Sequence, residues 1–83
     1  MEYVARVEVG LKPGHSDPEG ETTKDSLAEL NYSVKTVQVS KLYQIHLEAS
    51  SLREAEKKAE EMCRRLLANP IKDDYSITIE EAR

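Results

Sequence analysis

Eighty-three residues, 39% hydrophobic and 34% charged, suit one folded domain over residues 1–83, not a disordered chain, and leave no room for a second core. With 16 acidic against 12 basic residues and no basic run longer than Lys57-Lys58 or Arg64-Arg65, the chain lacks the coherent positive footprint that nucleic acid or an acidic membrane surface requires. A single cysteine excludes an intrachain disulfide, and no segment approaches the ~20 apolar residues of a membrane span, so a cytoplasmic setting is expected.

Along the chain, Tyr3, Ala5, Val7, Val9 and Leu11 alternate with Val4, Arg6, Glu8 and Gly10, the two-residue period of a half-buried strand. Lys12-Pro13-Gly14 breaks it with a turn. Asp17-Pro18 predicts a helix start, because aspartate accepts from orphan amides and proline at the first position forfeits no helical bond. That helix should run to Leu30 with Thr23, Leu27 and Leu30 inward, and Asn31 should end it in a left-handed conformation. Gly20, costly in a helix, suggests close packing.

Val37 and Val39 predict a second strand, Ser40-Lys41 a turn, and Tyr43, Ile45, Leu47 and Ala49 a third strand. Ser51-Leu52-Arg53-Glu54 fits a capping box. Leu52, Ala55, Ala59, Met62, Cys63, Leu66 and Leu67 then recur at helical spacing as far as Ala68, with Glu54/Lys58, Glu60/Arg64 and Glu61/Arg65 as i,i+4 pairs on the other face. Asn69-Pro70 stops the helix, and Tyr75, Ile77 and Ile79 mark a last strand. The expected fold is α+β, in the order β-α-β-β-α-β: a mainly antiparallel four-stranded sheet with two helices on one face.

The opposite face would carry Val4, Arg6, Glu8, Gln44, His46, Glu48, Ser76, Thr78 and Glu80, a mixed, mostly hydrogen-bonding surface suited to water or to another chain. Tyr3, Tyr43 and Tyr75 share the parity of the apolar set, which argues against a stacking platform for RNA. Cys63 falls on the inward side of its helix, where a sulfur serves as a small hydrophobe, and neither His15 nor His46 is tied to it by a motif. Asp73-Asp74 and Glu80-Glu81 are strand neighbours that point to opposite faces. No zinc, calcium, Walker or dinucleotide pattern occurs.

Several segments taken together resemble the PurS family, the small subunit of phosphoribosylformylglycinamidine synthase. They are Lys12-Pro13-Gly14, Asp17-Pro18-Glu19-Gly20, Leu27-Ala28-Glu29-Leu30, Val37-Gln38-Val39-Ser40-Lys41, Leu66-Leu67-Ala68-Asn69-Pro70 and Tyr75-Ser76-Ile77-Thr78-Ile79. Asn31 stands where the family has a helix-ending glycine, and Ser40 where a glycine is common before Lys41.

The resemblance implies an accessory subunit of a ligase complex with no independent catalysis and no cofactor of its own, ATP and magnesium being used on the large subunit. The implied partners are further copies of itself, as dimer or tetramer, the glutaminase subunit PurQ and the synthetase subunit PurL. It also implies that Lys12, Pro13, Gly14, Asp17, Gly20 and Lys41 position loops or meet partners. The competing expectations are a homodimeric domain that senses a small molecule and an autonomous hydrolase built on Cys63.

Overall fold

The computed structural model describes residues 1–82. Its elements are β1 (Glu2–Leu11), α1 (Pro18–Glu29), β2 (Lys41–Glu48), α2 (Leu52–Met62), a π-helical turn over Cys63–Leu67, and β3 (Asp73–Glu81). The strands form a sheet of order β2-β1-β3, antiparallel throughout. In the central strand Ala5 stands opposite Ile45 and Ile79, and Val7 opposite Tyr43 and Ile77, so the apolar positions of all three strands share one face.

α2 lies against that face, over β1 and β3. Ser51 caps it by accepting from the Glu54 amide at 3.1 Å. The Glu54 carboxylate reaches back to the amide and hydroxyl of Ser50, not to Ser51, so the expected box closes one residue early. Ala55, Ala59 and Cys63 are completely buried. Their short side chains let the helix settle closely on Tyr3, Ala5 and Leu47 at one end and on Val7 and Val9 at the other. Tyr75 faces the same helix, donating its hydroxyl proton to Glu60. Of the three expected i,i+4 ion pairs, Glu54–Lys58 forms at 3.3 Å, and it is the only one among the described residues.

The helix does not continue to Ala68 in α form. The Ala68 amide donates to the Cys63 carbonyl at 3.0 Å, an i to i+5 bond that fits one extra residue into the last turn. The inward stripe shifts by one position. Ala68 becomes buried and Leu67 half-buried, while Leu66, expected inside, is 83% exposed.

Two parts of the expected architecture are corrected. The sheet has three strands, not four: residues 36–40 form no regular element and join no ladder. The Val39 amide, which a ladder would need, donates instead to Asp17 Oδ2 at 2.9 Å. Ser40-Lys41 supplies no glycine or asparagine for the positive φ angles of a two-residue hairpin, and the chain runs directly into β2. Nor do two helices share one face of the sheet. α1 touches the sheet only marginally, with Gly20 its sole buried residue, Thr23 exposed and Leu30 67% exposed.

Instead α1 leaves the end of β1 as an arm. The molecule's long axis is 50 Å, longer than the roughly 34 Å that the ten residues of β1 alone would span. The radius of gyration is 16.3 Å, whereas a compact chain of this length would have about 12 Å. The arm ends as the sequence predicts. Asn31 adopts a φ of 70°, its amide donates to the Ala28 carbonyl, and the Tyr32 amide donates to the Leu27 carbonyl, the paired bonds of a Schellman motif.

Candidate functional site

The residues singled out from sequence converge where β1 ends and β2 and β3 begin. Lys12 to His15 make a tight turn with Pro13 second, Gly14 third at a φ of 90°, and the His15 amide donating to the Lys12 carbonyl at 3.3 Å. This is the arrangement of a type II turn, in which the third position demands positive φ and so favours glycine. Lys12 is fastened twice, to the residue before β3 and to β3 itself. Its amide donates to the Lys72 carbonyl at 2.7 Å and its ammonium to Asp74 Oδ1, also at 2.7 Å.

Asp17 joins the turn to the arm. Oδ1 accepts from the Gly20 amide at 2.9 Å, as a helix cap should, while Oδ2 holds the Val39 amide. These two bonds, that to Val39 first, hold its carboxyl below the ordinary value of 3.8. Gly20 is the point of closest approach: a Cβ there would lie 2.3 Å from the Val37 carbonyl oxygen and 2.7 Å from Asp17 Oδ2. Asp17 and Gly20 therefore lock α1 to the returning segment 37–39. Lys41 opens β2 opposite Val9, is exposed, and forms no ion pair among the described residues.

Four of the six residues, Lys12, Pro13, Gly14 and Asp17, line one open cleft of about 470 Å³ together with Ser40. Gly20 lies behind it, and Lys41 borders an adjoining groove. Sequence reasoning missed the Val39 amide and the tether from Lys12 to Lys72 and Asp74. No side-chain pattern marks a backbone donor, although the Asp73-Asp74 pair was the visible trace of the tether.

This junction holds geometry and does not assemble a reactive group. Every buried side-chain nitrogen and oxygen among the described residues has a hydrogen-bond partner. No three histidine, cysteine or carboxylate groups among them converge as metal ligands. The Cys63 thiol is pushed up by burial and then by the nearby Glu60 carboxylate, the reverse of what a nucleophile needs. His15 lines the cleft, while His46 stands on the helix-free face opposite Val4. That face is mixed in character. Val4 is 8% exposed, and Arg6 pairs with Glu80. No helix among the described residues is long and apolar enough to cross a membrane.

Comparison with known proteins decides what kind of scaffold this is. Residues 4–81 match the family model described as PurS, phosphoribosylformylglycinamidine (FGAM) synthase. The chain belongs to the PurS family. The PurS subunit of Archaeoglobus fulgidus is 46% identical over 79 residues, covering 94% of this chain and 99% of the relative. The structure of Thermus thermophilus PurS superposes with a TM-score of 0.92 at 36% identity over the whole of both chains. A chain in the structure of PurLQS from Thermotoga maritima does so with a TM-score of 0.88 at 25% identity, covering 96% of this chain and 99% of that one. The PurS resemblance carried by the sequence motifs is thus shown, and it extends to the elongated shape.

Proposed function

We propose that this chain is the non-catalytic bridging subunit of phosphoribosylformylglycinamidine synthase. It couples a glutaminase subunit, PurQ, to an ATP-dependent synthetase subunit, PurL, for ammonia transfer in de novo purine biosynthesis. The carrying observation is end-to-end likeness to PurS chains, one of them solved within PurLQS. In this reading the complex converts formylglycinamide ribonucleotide, glutamine, ATP and water to formylglycinamidine ribonucleotide, glutamate, ADP and phosphate in the cytoplasm.

Glutamine hydrolysis belongs to PurQ. Amide activation, with ATP and magnesium, belongs to PurL. The small subunit self-associates as a dimer or tetramer and works through proximity: holding two active centres in fixed relation raises productive transfer over loss of ammonia to solvent.

Residues 1–83 act as one unit in this role, with Lys12, Pro13, Gly14, Asp17, Gly20 and Lys41 as its positioning and contact residues. Support comes from their meeting at one end of the sheet. The turn and the Asp17 lock fix where the arm departs, and the uncommitted ammonium of Lys41 is available to an acidic partner surface. Reconstitution with the two partner subunits tests the role. Omitting this chain should abolish glutamine-dependent synthesis while ammonia-dependent synthesis persists. Equal glutamine-dependent turnover with and without it would defeat the reading.

A further inference from the structure

We propose that the turn and loop after α2, residues 64–72, form a docking surface for an acidic patch on a partner subunit. Leu66 and Ile71 supply its apolar contacts, and Arg64, Arg65 and Lys72 its charge. The proposal rests on the assembly role in the proposed function and names where one contact is made.

Leu66 and Ile71 are 83% and 80% exposed, more than any other large apolar side chain among the described residues. A single exposed leucine is ordinary. Here two such side chains stand close in sequence, and local structure holds both outward. The bond from the Ala68 amide to the Cys63 carbonyl turns Leu66 out of the inward stripe of its helix. Insertions of this kind recur at functional sites. Asn69 fastens the loop that carries Ile71. Its Oδ1 accepts from the amides of Ile71 at 2.9 Å and Lys72 at 3.3 Å. The Asp73 amide donates to the Asn69 carbonyl at 2.8 Å, and Asp73 Oδ2 accepts from the Asn69 amide, also at 2.8 Å. A surface held this firmly loses little conformational freedom when a partner binds.

The charge around these side chains selects the partner. Residues 64–72 contain three cations and no carboxylate, in a chain of formal charge −4. Arg64, Arg65 and Lys72 are exposed and form no ion pair among the described residues. Arg64 and Pro70 also border a hollow of about 480 Å³ whose lining includes Ala68 and Tyr75. The two carboxylates there are already engaged, Asp73 by the Asn69 amide and Asp74 by the Lys12 ammonium. The hollow can receive an apolar side chain while the arginines meet carboxylates around it, the usual division of an interface into apolar centre and polar rim. Three cations beside two aliphatic side chains make too small a footprint for nucleic acid.

Two variants test this: Leu66→Gln with Ile71→Gln, and Arg64→Glu with Arg65→Glu. The control, Arg53→Glu with Lys57→Glu, reverses the same charge at exposed positions elsewhere on α2. Calorimetric titration gives the affinity of each for the two partner subunits, and sedimentation gives its self-association. Both variants should self-associate as wild type does and bind at least one partner at least tenfold more weakly. The control should match wild type, and the deficit of the arginine variant should narrow at high salt.

Wild-type affinity for both partners in both variants overturns the docking surface and leaves the assembly role standing. Loss of self-association in either variant assigns the patch to contacts between copies and also overturns it. So does retained partner affinity with lost binding to phosphatidylglycerol vesicles, which would assign it to a membrane. A wild-type chain that binds neither partner defeats the assembly role and the proposal together. If the glutamine variant does not fold, the arginine variant decides alone.

Discussion

Asp17 Oδ2 accepts the backbone amide of Val39 at 2.9 Å, across 22 residues of chain, while Oδ1 of the same carboxylate caps α1 at Gly20. One side chain thus fixes both the start of a helix and the path of the segment that returns beside it. The arrangement separates two functions that substitution can dissect. Asp17→Asn retains an oxygen for the cap but offers an NH2 group that cannot accept from Val39. Amide exchange by NMR should leave the first turn of α1 near its wild-type protection and speed exchange at Val39. Asp17→Ala should release both.

The same carboxylate makes the junction acid-sensitive. Its pKa is lowered by the Val39 amide and then by that of Gly20, from an ordinary 3.8. A depressed folded-state pKa means that the stabilisation is fully present above the unfolded value and is lost as pH falls through the folded value. Glu54 adds in the same sense, lowered from 4.5 chiefly by the Ser50 hydroxyl and amide. The melting temperature should therefore hold steady above about pH 5 and fall progressively below about pH 4. Asp17→Asn should flatten part of that fall, and an acid limb identical to wild type would remove Asp17 as its source.

Gly20→Ala sets two effects against each other. Alanine gains about 1 kcal/mol in helix propensity. Its methyl would sit 2.3 Å from the Val37 carbonyl oxygen, a backbone atom that can move only by opening the lock. Overpacking of this kind costs about 1–3 kcal/mol. A net loss of up to about 2 kcal/mol in urea unfolding is expected. A net gain would show that α1 and the 37–39 segment are not held together.

Cys63 and Leu66 make a contrasting pair. Cys63 is completely buried, so Cys63→Ser places a hydroxyl among apolar neighbours and should cost about 1–3 kcal/mol. Glutamine-dependent turnover in the reconstituted complex should stay at the wild-type level at a temperature where the variant is folded. Leu66, three positions on, is 83% exposed, and Leu66→Gln should shift stability by less than about 0.5 kcal/mol. A large loss at Leu66 in the isolated subunit would mean that the turn over Cys63–Leu67 is α-helical in solution.

Local chemistry was the legible part of this sequence. Strand parity placed Tyr3, Ala5, Val7 and Val9 on the core face, Asn31 ended α1 in the left-handed region, and Asp17 and Ser51 capped their helices. The expectations that failed concern what covers what. Periodicity shows that Val37 and Val39 fit a strand and that Leu27 and Leu30 form a stripe, but not whether either packs on the chain's own sheet. Nor does it show how the Val39 amide is used, since backbone donors look alike in every residue but proline. The π turn was hidden because Leu66 and Leu67 are both leucine, and a one-residue shift of phase leaves such a pattern unchanged. Of the candidate site, the residue types were readable, whereas the Lys12 tether and the double use of Asp17 needed coordinates.

β1 is the middle strand and also the one that leads into the arm. A pull on β1 along its own axis would therefore act parallel to two antiparallel ladders whose bonds run across the direction of force. Such a load is shared by many bonds at once instead of parting them one after another. Displacement imposed on the middle strand would pass to β2 and β3 together, so the sheet would move as a whole.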